Sequence, residues 1–336
     1  MRTLLTASLV LGFVVTLFAD AAAGEKKPVI GFASREMVND YNRGIVEGAR
    51  KVVEGAGGTL VTTDGQADIR KHIDNINSFI TRGVDGILVQ LGDPEQFASV
   101  FAKAKAAGIP VVTTSIGQTA PDALCDVNGD DEIMTAVLMR QLVTDIKAKG
   151  KVYIISVPGA PVLETRARIA RPFLSGYSGI QLADTVPTQH SVPYTLNVMQ
   201  NILTANPEPG SVAAVFVTYD LLASGAAMAI TNAGRQNEIK VYSIDGDEIG
   251  FQMLFDRENP FAATVSQNVE NIGAIAAEMI LKAVDGKADE IPYAVYPPTA
   301  LAAKTDMAAA VQIAKDKWGA DCMEKWGIDE KALLGK

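Results

Sequence analysis

Histidine and cysteine are nearly missing from this 336-residue chain: it holds two of each, His72 and His190, Cys125 and Cys322, and aromatic residues make up only 6%. That scarcity removes most metal-site and histidine-based catalytic schemes, since there is no CxxC, no HExxH and no candidate Ser/His/Asp set. Basic blocks are absent as well. With 39 acidic residues against 30 basic ones, a formal charge of -9 and few aromatics, the chain is not expected to bind nucleic acid. No nucleophile stands beside a suitable base and no glycine-rich phosphate loop is evident, so neither an enzyme nor a cofactor is expected.

What is present is apolar bulk. Hydrophobic residues make up 48% of the chain, enough for one large or two medium cores, and a chain of this length usually divides into two domains. The N-terminus runs from Met1-Arg2-Thr3 through an apolar stretch at 4–18 to Ala21-Ala22-Ala23. This reads as a signal peptide over residues 1–23, because a membrane anchor would need about 20 apolar residues. No cysteine follows the stretch, which favours a soluble exported product over a lipoprotein. For Cys125 and Cys322 an oxidising compartment leaves two states open, free thiols or one bridge closing a long loop.

From Lys27 onward, short β-branched runs alternate with amphipathic stretches, the pattern of a parallel sheet covered by helices. Strands are expected at 29–33, 59–63, 86–90 and 109–114, with helices at 42–54, 69–81 and 95–107 between them. After a polar connection at 126–131 the pattern restarts, with strands at 152–157, weakly near Gln181, at 213–217 and at 240–244. PVIGFAS corresponds to KVYIISV, GVDGILVQLGD to SVAAVFVTYD, and GIPVVTTSIG to EIKVYSIDGD. An internal structural repeat follows, an α/β chain of two doubly wound sheets.

In such sheets ligands sit beyond the carboxyl ends of the strands. The segments there are 34–41, 90–93 and 115–117 in the first half, and 158–168, 218–220 and 245–247 in the second. They offer amides, carboxylates, hydroxyls and arginine, a set suited to reversible hydrogen bonding of a polar small molecule. Bland alternatives stand beside each: Asn39 and Asp40 as helix caps, Arg166 and Arg168 as solvated side chains, Asp245-Gly246 as a turn, Gln267 as a strand tie and His190 as a packed loop residue.

Several segments carry a family resemblance: N-D-Y-N before the first helix, ILVQLGDPEQF, AGIPVVT, LNVMQNILTANP, AVFVTYD, VYSIDG and ATVSQNVENIG. In their order and spacing the chain resembles the ribose-binding-protein-like class of periplasmic solute-binding proteins, type I fold, which serve ABC importers of sugars. The resemblance implies two lobes joined by a three-crossing hinge, near 126–128, 265–267 and 296–299. The N-terminal lobe would combine 24–126 with 268–296, and the C-terminal lobe 127–267 with an extended tail, 297–336. Ligand contacts carried over by position fall on Asn39, Tyr41, Asn42, Gln90, Arg166, Tyr219, Asp245 and Gln267, with His190 where relatives place a stacking aromatic.

Departures matter too. Ser115 and Ile116 stand where the family has Asp followed by Arg or Asn, Tyr219-Asp220 stands for N-D, and Pro172 replaces a glycine, which blurs the register of Arg166 and Arg168. Without the charged pair the first lobe presents neutral amides, Ser115 and the apolar Ile116, which points to a polyol, a deoxy sugar or a less common polyhydroxylated solute. The tail from Lys315 extends past the usual family end; it is expected to form a helix near the hinge and to bring Cys322 to Cys125. The implied partners are the small ligand and a membrane ABC permease for a monomeric protein, or alternatively a sensor kinase or chemoreceptor.

Overall fold

The computed structural model describes residues 27–335, so the export signal expected at 1–23 lies outside the described residues. The first run of elements is β1 (Val29–Ser34), α1 (Asp40–Gly55), β2 (Thr59–Asp64), α2 (Ile69–Arg82), β3 (Gly86–Gln90), α3 (Pro94–Ala106), β4 (Val111–Thr114) and β5 (Asp126–Val127). The second is α4 (Asp131–Asp145), β6 (Gly150–Ser156), α5 (Pro161–Ser175), β7 (Ile180–Pro187), α6 (Val192–Ala205), β8 (Ala214–Val217), α7 (Asp220–Asn232), β9 (Lys240–Asp245), α8 (Glu248–Phe255) and β10 (Phe261–Gln267). The chain ends with α9 (Val269–Val284), β11 (Ala294–Val295), β12 (Thr299–Ala303), α10 (Met307–Trp318), α11 (Cys322–Lys325) and α12 (Glu330–Leu334).

Two six-stranded sheets result, ordered β11-β5-β4-β3-β1-β2 and β12-β10-β9-β8-β6-β7. The orders correspond strand for strand, and the repeated segments of the sequence fall on the matched pairs β1/β6, β3/β8 and β4/β9. Among the described residues all pairings between these strands are parallel except that of β10 with β12. Strands β3, β4 and β8 are buried at every residue, which is why they read as continuous apolar runs rather than alternating ones. The two-residue strands β5 and β11 are too short to leave a periodic signal, and Pro110 falls just before the shortened β4.

Each sheet is covered on both faces, and each face has its own apolar cluster. Crossings after Val127, after Gln267 and between Val295 and Thr299 pass the chain from one sheet to the other. Helix α9 thus returns to the first sheet, where it lies against α1. The approach is close enough to need hydrogen as a side chain on both helices: a Cβ on Gly48 would stand 1.9 Å from the Glu270 carbonyl oxygen, and one on Gly273 1.8 Å from that of Ile45.

The expected bridge between Cys125 and Cys322 is not formed. Cys125 is buried with Ile30, Phe32 and Ile272 beneath the first sheet, while Cys322 is buried with Phe251 and Met323 in the second. The tail does form a helix that reaches the hinge, but aromatic packing anchors it instead: Trp318 meets Phe251 at 5.2 Å and Trp326 at 5.1 Å between ring centroids. Burial also pushes the Cys125 thiol up to about 11, which suppresses the thiolate needed for oxidation. We expect two alkylated cysteines when the protein is unfolded without reductant and mass-analysed, and little labelling in the native state.

Candidate functional site

The carboxyl ends of the two sets of parallel strands face one another, and all ten residues singled out from the sequence lie on the elements or loops at those ends. Three strand-end residues hold a backbone that side chains rarely adopt: Leu91 (φ 59°), Ser115 (φ 57°) and Asp245 (φ 126°). Such conformations persist where surrounding structure enforces them, commonly at binding sites.

On the first side the groups are neutral. Ser34 Oγ donates to Gln90 Oε1 at 2.7 Å, and Gln90 Nε2 donates to the Asn42 carbonyl at 3.4 Å. Both carboxamide atoms of Asn42 are buried with no hydrogen-bond partner among the described residues. A buried amide left in that state carries a cost, so it is a group ready to accept and donate to a ligand. The hydroxyls of Tyr41 and Ser115 share a 2.9 Å hydrogen bond. Asn39 is the N-cap of α1, its Oδ1 accepting from the Asn42 amide at 2.8 Å, while Asp40 is the first helical residue and pairs with Arg43. The cap occupies Oδ1, and Nδ2 donates to Glu36 Oε1 at 3.3 Å, so both polar atoms of Asn39 have partners.

Ile116 differs from the reading that gave the ligand an apolar face. Its side chain is buried in the cluster of Phe97 and Phe101, turned into the first lobe. The turn that sends it there is held by Asp126, whose carboxylate accepts from Thr113 Oγ1 at 2.7 Å and from the Gly117 amide at 3.0 Å.

The second side is ionic. Arg166, only 3% exposed, donates from Nε to Asp131 Oδ1 at 2.7 Å and from Nη1 to Asp245 Oδ1 at 2.9 Å and to the Thr218 carbonyl at 2.8 Å. Burial opposes its charge, and the two carboxylates more than offset that, so the guanidinium stays protonated above its ordinary value. Gln267, at the hinge, donates to the same Asp245 oxygen at 2.7 Å and keeps Oε1 buried without a partner among the described residues. Arg168 points away and pairs with Glu132 at 3.3 Å in the open, so the structure assigns the inward position to Arg166. His190 Nδ1 and Tyr219 OH are 2.9 Å apart at the exposed rim, with their rings tilted at 45°.

The two sides sense each other. Burial raises the Tyr41 hydroxyl above its usual range and Asp245 adds to the rise, with Arg166 opposing it from the other lobe. His190 likewise lies within the fields of Glu36 and Arg35. A crevice of about 850 Å³ opens beside this seam; Tyr41 and Asp245 line it, whereas the buried Gln90 and Arg166 and the part-buried Tyr219 do not.

Sequence reasoning missed Asp131, Asn128 and Asp126. Asp131 sits in an acidic run, Asp130-Asp131-Glu132, at a helix start, where acidic residues are favoured by the helix dipole alone. Its partner 35 residues onward was the usable signal.

Asp126 generates a pH expectation. Burial raises its carboxyl from 3.8 to about 6 against the hydrogen bonds of Thr113 and Gly117. The folded form therefore binds the proton first, so this group's contribution to stability is full below about pH 4 and is lost as pH rises through 6. Over that window the loss is on the order of 3 kcal/mol. Urea midpoints of the wild type relative to Asp126→Asn, measured from pH 4 to 7, should fall as pH rises; a constant difference would contradict the shift.

Comparison with known proteins agrees with this geometry. The model of a family described as periplasmic binding protein domain matches residues 30–288. The ribose import binding protein RbsB of Salmonella typhimurium is 28% identical over 305 residues, covering 88% of this chain and 97% of that protein. The xylitol-binding protein of Mycolicibacterium smegmatis is 26% identical over 286 residues, covering 84% and 80%. An ABC transporter solute-binding protein from Agrobacterium vitis with bound allitol shares the fold at a TM-score of 0.79 and 24% identity, covering 85% of this chain and 98% of that one. With its duplicated sheets, its polar strand ends and a match over most of its length, the chain belongs to the periplasmic binding protein domain family.

Proposed function

We propose that this protein is the periplasmic solute-binding component of an ABC importer, and that it closes its two lobes on a sugar, a polyol or a related small polyhydroxylated solute. The observation that carries this reading is that a buried neutral amide set, Asn42 and Gln90, and a buried ionic set, Arg166, Asp245 and Gln267, stand at the ends of the two sheets, with Tyr41 beside the first and Asp245 of the second lining one crevice. Hydroxyl groups both donate and accept, and such a pairing offers them partners of both kinds. Tyr41 and Tyr219 supply flat apolar surfaces, and His190 orients the Tyr219 ring. The lobes that close follow those drawn from the sequence, 24–126 with 268–296 and 127–267 with 297–336, except that Val127 pairs within the first sheet, and a membrane permease receives the closed form.

The absence of a charged pair at Ser115 and Ile116 supports an alditol or a deoxy sugar over ribose or glucose, because a buried polar site rejects ligands that leave its groups unpaired. A melting-temperature screen of ribose, glucose, deoxy sugars and straight-chain alditols identifies the ligand, since binding to the native state raises stability. Calorimetry should give a dissociation constant on the order of micromolar or tighter. Asp245→Ala should weaken binding by about 2 kcal/mol or more, as Arg166 and Gln267 lose a shared acceptor. X-ray scattering in solution should show a smaller radius of gyration at saturation. Tightest binding to ribose or glucose would count against the ligand class, and an unchanged radius against closure.

A further inference from the structure

The C-terminal helix α10 brings one cation into the hinge. Lys317 Nζ donates to the Gly246 carbonyl at 2.6 Å and to the Gln267 carbonyl at 2.8 Å, and lies 4.8 Å from the centroid of the Trp318 ring. These two carbonyls are one residue after Asp245 and on Gln267 itself, the two side chains joined at 2.7 Å in the site. The Gly246 turn has no slack against β10, because a Cβ there would stand 2.3 Å from that of Ser266. Its left-handed φ of 59° follows the Asp245 φ of 126°.

We propose that Lys317 is a positioning residue for the ligand site: its ammonium ties the carbonyls of Gly246 and Gln267 and so fixes the Asp245 carboxylate and the Gln267 carboxamide relative to one another. It acts on the backbone of the two residues, and it borders the same crevice that Tyr41 and Asp245 line. One cation bridging two carbonyl oxygens draws them together, and oxygens without it repel. The crossing after Gln267 is thereby set by a segment that follows the second sheet in sequence. Burial lowers the proton affinity of Lys317, and the fields of Asp247 before α8, Asp220 at the start of α7 and Asp245 on β9 oppose that. The aromatic anchoring of Trp318 against Phe251 fixes the helix that carries it.

This inference rests on the reading of the site as a ligand site, so the test has one readout that needs no ligand. Hydrogen exchange of the ligand-free protein should be faster in Lys317→Met at the amides of Gly246, Asp247 and Asn268, with the core of β8 unchanged. Calorimetry of the same variant with the tightest ligand of the screen should show about ten-fold weaker binding. Lys317→Gln, whose carboxamide can still donate to one carbonyl, should recover part of both effects and serves in place of the Met variant if that one does not fold. Lys315→Met removes the pair with Glu330, two residues away on the same helix, and should leave exchange at the hinge and affinity as in the wild type. Wild-type exchange at those amides in Lys317→Met, or an equal effect from Lys315→Met, would overturn the proposal. If no ligand in the screen binds the wild type, the functional reading fails while the exchange result still decides the role of Lys317.

Discussion

A single buried guanidinium sets the geometry of this molecule's centre. Arg166 comes from α5, Asp131 from the start of α4 and Asp245 from the end of β9, and none of the three charges is tolerable in that interior without the others. Their joining forces two helices and a strand into one register. All three crossings between the sheets attach to it as well. Asn128 donates from its side chain to Asp131 at 3.0 Å and from its amide to the Val295 carbonyl at 3.1 Å, and Gln267 donates to Asp245. The crossings are thus tied to one ion-pair network rather than forming three independent joints.

The two halves share a strand order and differ in what their strand ends carry. In the first, Gln90, Ser115 and the neighbouring Asn42 are uncharged; in the second, Arg166 and Asp245 meet, with Asp220 and Asp247 close behind. Asp220 is held by Thr264 Oγ1 at 2.9 Å and by the Asp247 amide at 3.2 Å, so it supports the turn rather than facing the seam. Fold and chemistry are separable here: duplicated strands supply the frame, and the residues just beyond them supply the function.

The frame was readable because buried parallel strands leave continuous β-branched runs and because the second half repeats the first. The rule that α/β sheets place ligands at their strand ends pointed to the segments that hold Tyr41, Gln90, Arg166 and Asp245, and the family resemblance chose those residues within them. Other features left no local trace. Strands β5 and β11 have two residues each, too few for a period. Asp131 looked like an ordinary helix-start carboxylate, and Lys317 like any charged residue of a tail helix. The placement of Cys125 and Cys322 in separate cores depends on tertiary packing that spacing does not encode. Ile116 was read as facing the cleft, whereas the left-handed Ser115 before it turns the chain and sends the side chain inward.

Those left-handed strand ends also constrain how the protein can diverge. At Leu91, Ser115 and Asp245 the backbone disfavours β-branched and bulky side chains, while Asn, Asp and Gly are accommodated at least strain. A lineage acquiring a new solute preference has little freedom at those three places. Tyr41 and Asn42 stand on ordinary helical backbone, where exchange of one side chain for another carries no such penalty. Diversification of ligand choice on this scaffold is therefore channelled to the helices that border the cleft, and the strand ends are the part it must inherit.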